Sequence, residues 1–320
     1  MSPSIQGRNL TPKKHCLMKR NTLKWAASLL ILIVAASGIG LKKTDITSSA
    51  PLALLDDSPT CLTDGNPDKS DAAGIADKPA TASPAGRNRR LIEQPGRIGH
   101  GVNERIISHT GFTLSFNRTH LQPNWVAWEL TASETEGSTS RSDDFQPDPL
   151  LPQPQQVTTA DYTRSGYDRG HQCPSADMKW SKQAMRECFY MSNICPQDPQ
   201  LNRGSWATLE KACRRWAKAE GSVYIVCGPV FLQGRKRRTI GRDHTISVPD
   251  GFYKVVLSLR KGHEKAIGFY FRNSSARQTL EEAARTVDEI EEITGIDFYV
   301  NLNHSLETRL EKTACLKDWH

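Results

Sequence analysis

The chain has 320 residues, enough for one large domain with extensions or for two small ones. Hydrophobic residues make up 37% and charged residues 24%, which excludes a chain too polar to bury a core but leaves room for unpacked segments. A net charge of +7 favours polyanionic partners without identifying one, because many soluble proteins are basic.

In chain order, Lys13, Lys14, Lys19, Arg20 and Lys24 precede an apolar run from Trp25 to Leu41. A positive segment followed by an apolar one reads as targeting rather than fold. Residues 1–43 are therefore expected to be a cleaved signal peptide or an uncleaved signal anchor, the run being near the ~17-residue minimum for a span. Positive charge ahead of the run places the remainder outside the cytoplasm, either secreted, periplasmic or held at a membrane by this segment. Residues 44–95 are rich in Ala, Ser, Asp, Pro and Thr and lack an apolar period, the composition of a disordered linker. The folded domain is assigned to 96–320, with its first strand expected near Ile106.

Eight cysteines accompany the export expectation. Cys16 and Cys61 fall in the leader and linker, whereas Cys173, Cys188, Cys195, Cys213, Cys227 and Cys315 belong to the domain and are expected to form disulfides, with free buried thiols as the alternative. Zinc is the poorer reading, since no two cysteines are separated by two residues.

Residues 111–117 and 125–131 alternate polar with apolar and predict an early strand pair. A proline-rich surface loop follows at 145–156, then a short strand at 189–194 ending ahead of Pro196. Residues 202–219 predict an amphipathic helix closed by Gly221. Three strands are expected at 223–231, 252–259 and 265–271. A helix capped by Ser274 or Ser275 and another over 287–295 complete an α+β pattern with a mixed or antiparallel central sheet flanked by helices.

Two stretches carry the chemistry. Ser165-Gly166-Tyr167-Asp168-Arg169-Gly170-His171-Gln172-Cys173-Pro174 puts an acid, an arginine and an imidazole within four residues, with Gly170 expected to let the chain turn between them. Leu201-Asn202-Arg203-Gly204-Ser205-Trp206-Ala207-Thr208-Leu209-Glu210 repeats Asn202, Trp206 and Glu210 along one helix face. Phosphodiester hydrolysis needs an activated water, neutralised phosphoryl oxygens and a stabilised leaving oxygen. A neutral histidine can take the water's proton, an arginine can clamp the phosphate, and an asparagine oxygen suits a hard cation. Taken singly, His171 reads equally as a structural histidine, Asn202 as a helix N-cap and Glu210 as a solvated charge.

Together these stretches resemble the DNA/RNA non-specific endonuclease family, the ββα-metal nucleases that include mitochondrial endonuclease G. The resemblance runs from about Gly111 to Val256, through the segments at 161–171, 189–197, 201–210, 224–229 and 248–255. It implies a ββα-metal fold in which His171 is the general base and Asn202 the direct protein ligand of a Mg²⁺, which Mn²⁺ could replace. It further implies that Glu210 holds the metal's water shell, that Arg169 sits near the scissile phosphate, and that Arg141 is the second arginine. Asp168 is read as a hydrogen-bond partner fixing the motif's turn, and Asn193 as a support. Cys173 and Cys195 stand where many relatives carry small residues. The basic stretch 234–238 is either a backbone contact or a solvated loop.

The expected activity is metal-dependent, sequence- and sugar-non-specific endonucleolytic cleavage of DNA and RNA through backbone phosphates. A non-catalytic nucleic-acid-binding module on the same fold, or a phosphodiesterase for small esters, are the alternatives.

Overall fold

The computed structural model describes residues 91–98 and 104–319. The charged leader, its apolar run, Cys16, Cys61 and most of the linker lie outside the described residues.

The scaffold is a seven-stranded sheet in which every neighbouring pair is antiparallel. Its first three strands, β1 (Glu104–Ser108), β2 (Thr113–Asn117) and β3 (Gln122–Thr131), form a meander. The chain then leaves the sheet for β4 (Asp168–His171), α1 (Lys182–Glu187), β5 (Ile194–Gln197), a π-helical segment Leu201–Trp206 and α2 (Ala207–Glu220). It re-enters as β6 (Ser222–Val230), paired with β3. After the short ribbon β7 (Thr239–Ile240) and β8 (Ile246–Ser247) come β9 (Gly251–Ser258) and β10 (Lys265–Arg272). The sheet closes, beyond α3 (Leu280–Ala283), with β11 (Ala284–Arg285), and α4 (Val287–Thr294) and α5 (His304–Glu311) follow. The strand order is β1-β2-β3-β6-β9-β10-β11. Both sequence motifs therefore sit in one insertion between two neighbouring strands.

Alternation along the central strands sends side chains to opposite faces, and both faces are covered. Val126, Trp128, Ile225 and Val256 pack with Trp206, Leu209 and Trp216 of the insertion. Trp125, Ala127, Val226 and Val255 pack with Val287 and Ile290 of α4 and Leu310 of α5. Double burial explains why β9 is buried along its whole length, Lys254 included.

Several expectations shift at element edges. Pro196 lies inside β5, opposite Arg169, because β4 and β5 form a two-stranded ribbon that asks each residue for hydrogen bonds on one side only. The helix after β10 is capped by Thr279 and Glu282 in a reciprocal capping box, rather than by Ser274 or Ser275. β1, α1 and α5 lacked a strong enough period to be anticipated; β1 is largely exposed. Gly221, with φ 89, ends α2 as expected.

The expected disulfides do not form. None of the six cysteines of the described residues is in a disulfide, and five are buried. They behave as small core side chains, with the Cys188 thiol donating to Met185 O at 3.1 Å and Cys227 to Gln172 O at 3.3 Å. Burial pushes the Cys188 and Cys213 thiols up to about 12, which leaves them unreactive.

Gly170 is not a hinge but a strand residue under a close neighbour. A Cβ there would stand 2.3 Å from Gln197 Oε1 and 2.6 Å from Gln197 Cβ. Gly170→Ala should therefore destabilise the fold by about 1–3 kcal/mol, read as a lower urea midpoint at unchanged slope; an unchanged midpoint would contradict this packing.

Candidate active site

Asp168, Arg169, Gly170 and His171 are extended, not turned. Strand alternation puts Arg169 and His171 on one side of the β4–β5 ribbon and Asp168 on the other. Asp168 consequently does not close a turn. Its carboxylate accepts from Asn202 Nδ2 at 3.0 Å and from Arg203 Nε and Nη2 at 2.8 and 2.7 Å. One acid thus joins the strand to the helix that follows.

Asn202 lies within the π-helical segment, with its backbone N–H bonded to Asp198 O at 2.9 Å, so it is not an N-cap. Such segments occur at functional sites, where an inserted residue re-aims side chains. With its amide nitrogen committed to Asp168, the carboxamide presents its oxygen as the remaining polar atom.

His171 is buried beneath two phenylalanines. Its ring meets Phe189 edge-on at 4.7 Å and Phe145 at 5.3 Å. Each ring also carries an arginine, Arg141 over Phe189 at 4.9 Å and Arg169 over Phe145 at 4.1 Å. Arg141 is held further by Asp143 Oδ1 at 2.5 Å and Ser175 Oγ at 2.7 Å. Burial, together with the charges of Arg141 and Arg169 and against that of Asp143, lowers the His171 imidazole to about 3. It is therefore neutral near pH 7, and its buried Nε2 has no hydrogen-bond partner. Asn193 braces the chain just beyond, with Oδ1 accepting from Cys173 N at 2.9 Å and Nδ2 donating to Cys173 O and Cys188 O.

Glu210 is half-buried on α2, one turn past Trp206. Burial pushes its carboxyl up to about 7, opposed by Lys254 and reinforced by Asp177. Lys254 is 1% exposed, its ammonium lying 4.9 Å from the Trp128 ring centre and 4.5 Å from that of Trp206. Burial alone would lower it, but Cys227, Cys213, Glu210 and Asp177 hold it above the usual lysine range. Asp177, with its own carboxyl raised by burial, accepts from Arg214 Nη1 at 2.7 Å and Trp128 Nε1 at 3.3 Å.

Arg141, Arg169 and Asn202 line one open cleft of about 560 Å³, with Phe145, Tyr167 and Arg203. His171 and Glu210 are not on its lining: the first lies behind the phenylalanines, the second beside Lys254. From the basic stretch 234–238, Arg238 reaches over Tyr167 at 5.8 Å and so borders the cleft. Phe145, Phe189, Arg203 and Lys254 were not singled out by the motif reading. Only Lys254 left a signal, a lone cation in an apolar strand, which stays buried only when compensated.

Of the candidate metal-holding residues, Asn202 offers a hard amide oxygen to the cleft, whereas Glu210 lies off its lining. Among the described residues, the groups of three or more candidate ligands are carboxylates only, and they lie on α4, α5 and their connection.

The DNA/RNA non-specific endonuclease profile matches residues 95–305. A frog protein (Xenopus laevis) named mitochondrial nuclease EXOG is 35% identical over 241 residues, covering 71% of this chain and 66% of the frog protein. The mitochondrial endonuclease G of Bos taurus is 31% identical over 243 residues, covering 72% of this chain and 79% of the bovine one. Among solved structures, an EndoG/EndoGI complex aligns with TM-score 0.61 and 28% identity over 69% of this chain and 96% of its own. The chain thus spans just under two thirds of the frog relative's length.

These relatives overturn the expectation of export. Both are named as mitochondrial nucleases; the apolar run on which that expectation rested lies outside the described residues. The expectation rested on basic residues ahead of an apolar run, and composition of that kind does not by itself name the membrane involved.

The His171 shift has a consequence for stability. The unfolded imidazole titrates near 6.5, whereas the folded one does so at about 3. The unfolded chain therefore binds the proton first, and stability falls as pH drops from 6.5 toward 3. Between pH 8 and pH 5 the loss should be about 2 kcal/mol, and His171→Phe should remove that part of the acid sensitivity in denaturant melts. An equal pH slope in the variant would show that His171 titrates normally.

Proposed function

The chain belongs to the DNA/RNA non-specific endonuclease family, and from that membership and the cleft we propose that it hydrolyses phosphodiester bonds in DNA and RNA without regard to sequence or sugar. The observation that carries this reading is the neutral, buried His171 with an uncommitted Nε2, set behind a cleft lined by Arg141, Arg169 and Asn202. The domain responsible is 96–320, preceded by the linker 44–95.

The His171 imidazole would take the proton of the attacking water, burial and the two arginines keeping it deprotonated across the physiological range. Arg169 and Arg141 bind non-bridging phosphate oxygens. Both guanidiniums rest on phenylalanine faces, so they are aimed before substrate arrives, which lowers the entropy spent on positioning. Asn202, oriented by Asp168, would hold a Mg²⁺ directly through its amide oxygen, and Glu210 would hold one of the metal's waters. When bound, that cation neutralises phosphoryl charge and stabilises the leaving oxygen; Mn²⁺ could serve because the donors are all oxygen. Lys254 acts through Glu210, keeping its carboxyl from rising further above neutrality. Contacts confined to the phosphate backbone account for the expected indifference to base sequence.

A non-catalytic module would have no need of an unprotonated histidine beside two aimed arginines, so the catalytic reading is preferred. The purified protein should degrade plasmid DNA and RNA with Mg²⁺ and stop with EDTA. His171→Ala and Asn202→Ala should each lower the rate by about 10²–10⁴ at near-parental stability. Parental activity in His171→Ala would remove the base assignment, and faster turnover of a chromogenic diester than of plasmid would favour a small-ester phosphodiesterase.

A further inference from the structure

On the sheet face opposite α2, the two C-terminal helices and their connection bring five carboxylates near one another. Asp288 and Glu291 are three residues apart on α4, and Glu307 and Glu311 four apart on α5, so each helix places both acids on one face. Asp288, Glu291 and Glu311 each bring a carboxylate oxygen within 4.8 Å of the others, and Asp297, Glu307 and Glu311 do the same. Glu311 is common to both groups.

Two features separate this cluster from an ordinary acidic surface. Glu311 is 8% exposed and its Oε1 is buried with no hydrogen-bond partner, although a buried carboxylate oxygen is costly unless a proton donor or a cation meets it. Among the described residues, the one ion pair reaching the cluster is His304 Nδ1 to Glu307 Oε2 at 3.4 Å, and that imidazole is 93% exposed. The backbone also holds the acids in place. Gly295, at φ 69, ends α4 with its N–H on Glu291 O at 2.7 Å, and Glu291 Oε1 accepts from Phe298 N at 2.8 Å, which keeps Asp297 beside the helices.

We propose that α4, α5 and their connection form a calcium site built around Glu311, the carboxylate common to the Asp288–Glu291 and Asp297–Glu307 groups. The chemistry selects the ion. Clustered carboxylates supply hard oxygens in mono- or bidentate modes, matching the six to eight flexible ligands of Ca²⁺, whereas Mg²⁺ demands a near-ideal octahedron and retains its waters. Asp297 is exposed and Asp288 half-exposed, so the ion has an entry path from solvent to the buried Glu311. Since every ligand lies on α4, α5 or their connection, the ion would tie the two helices to each other rather than take part in phosphodiester cleavage.

The test is calorimetric titration of CaCl₂ into the full-length protein after removal of metal with a chelator, alongside thermal unfolding across the same calcium range. Stoichiometric binding is expected, with a Tm that climbs as calcium rises. Glu311→Gln should weaken binding by at least about tenfold and abolish the climb, and the rim pair Asp288→Asn/Asp297→Asn should weaken it too, should Glu311→Gln fold poorly. Asn202→Ala, which alters only the proposed nuclease metal, should retain the calcium-dependent Tm. The proposal is overturned if no binding remains in Asn202→Ala, if both cluster variants bind as the parent does, or if Mg²⁺ binds there as tightly as Ca²⁺. A failed nuclease assay would leave each of these outcomes unaffected.

Discussion

One carboxylate joins the two halves of the cleft. Asp168 receives both donors of the Arg203 fork and the amide of Asn202, so the strand bearing Arg169 and His171 and the helix bearing Asn202 move as one piece. The stabilising worth of the Arg203 pair is small, because that guanidinium is 73% exposed and solvent screens it. What the arrangement contributes is orientation: two parallel bonds fix the acid, and the fixed acid decides which way the asparagine amide faces. Loss of that acid would cost geometry at Asn202 before it cost much stability.

Behind this junction lie two buried layers with opposite electrostatic tasks. The aromatic layer of Phe145 and Phe189 keeps water from His171 while offering its faces to two arginines, so the same rings lower the histidine and aim the phosphate clamps. The ionic layer runs the other way. Lys254, enclosed by Trp128 and Trp206, faces Glu210 and Asp177, and Arg214 completes the compensation. Charges buried this deeply persist only when matched, and the match leaves Glu210 near neutrality, poised between carboxyl and carboxylate at about 7.

Legibility varied with the range of the interaction involved. Apolar runs such as 223–231 and 252–259 were legible as strands because their length and flanking breakers are local properties. The π-helical start of the 202–219 helix was not, since Asn202, Trp206 and Glu210 repeat every four residues and satisfy an α-helical pattern equally well. The cysteines misled for a similar reason: their number is local, whereas their pairing depends on where six thiols lie once folded, and burial as free thiols leaves no mark in spacing. Gly170 was rightly marked as a position needing glycine, yet the cause is Gln197 on the partner strand and not a turn.

By itself the sequence determined the α+β class and the family resemblance, and it singled out His171 and Asn202 as candidates, because motif composition and spacing survive without coordinates. Only the tertiary structure decided that burial lowers the imidazole, that Asp168 binds Asn202 and Arg203, and that two phenylalanines pack on His171 while Lys254 lies near Glu210. Burial and charge proximity come from residues far apart along the chain, Arg141 and Phe145 acting on His171 from the preceding loop and Lys254 on Glu210 from the central sheet. Such effects exist only once the antiparallel sheet has brought those segments together.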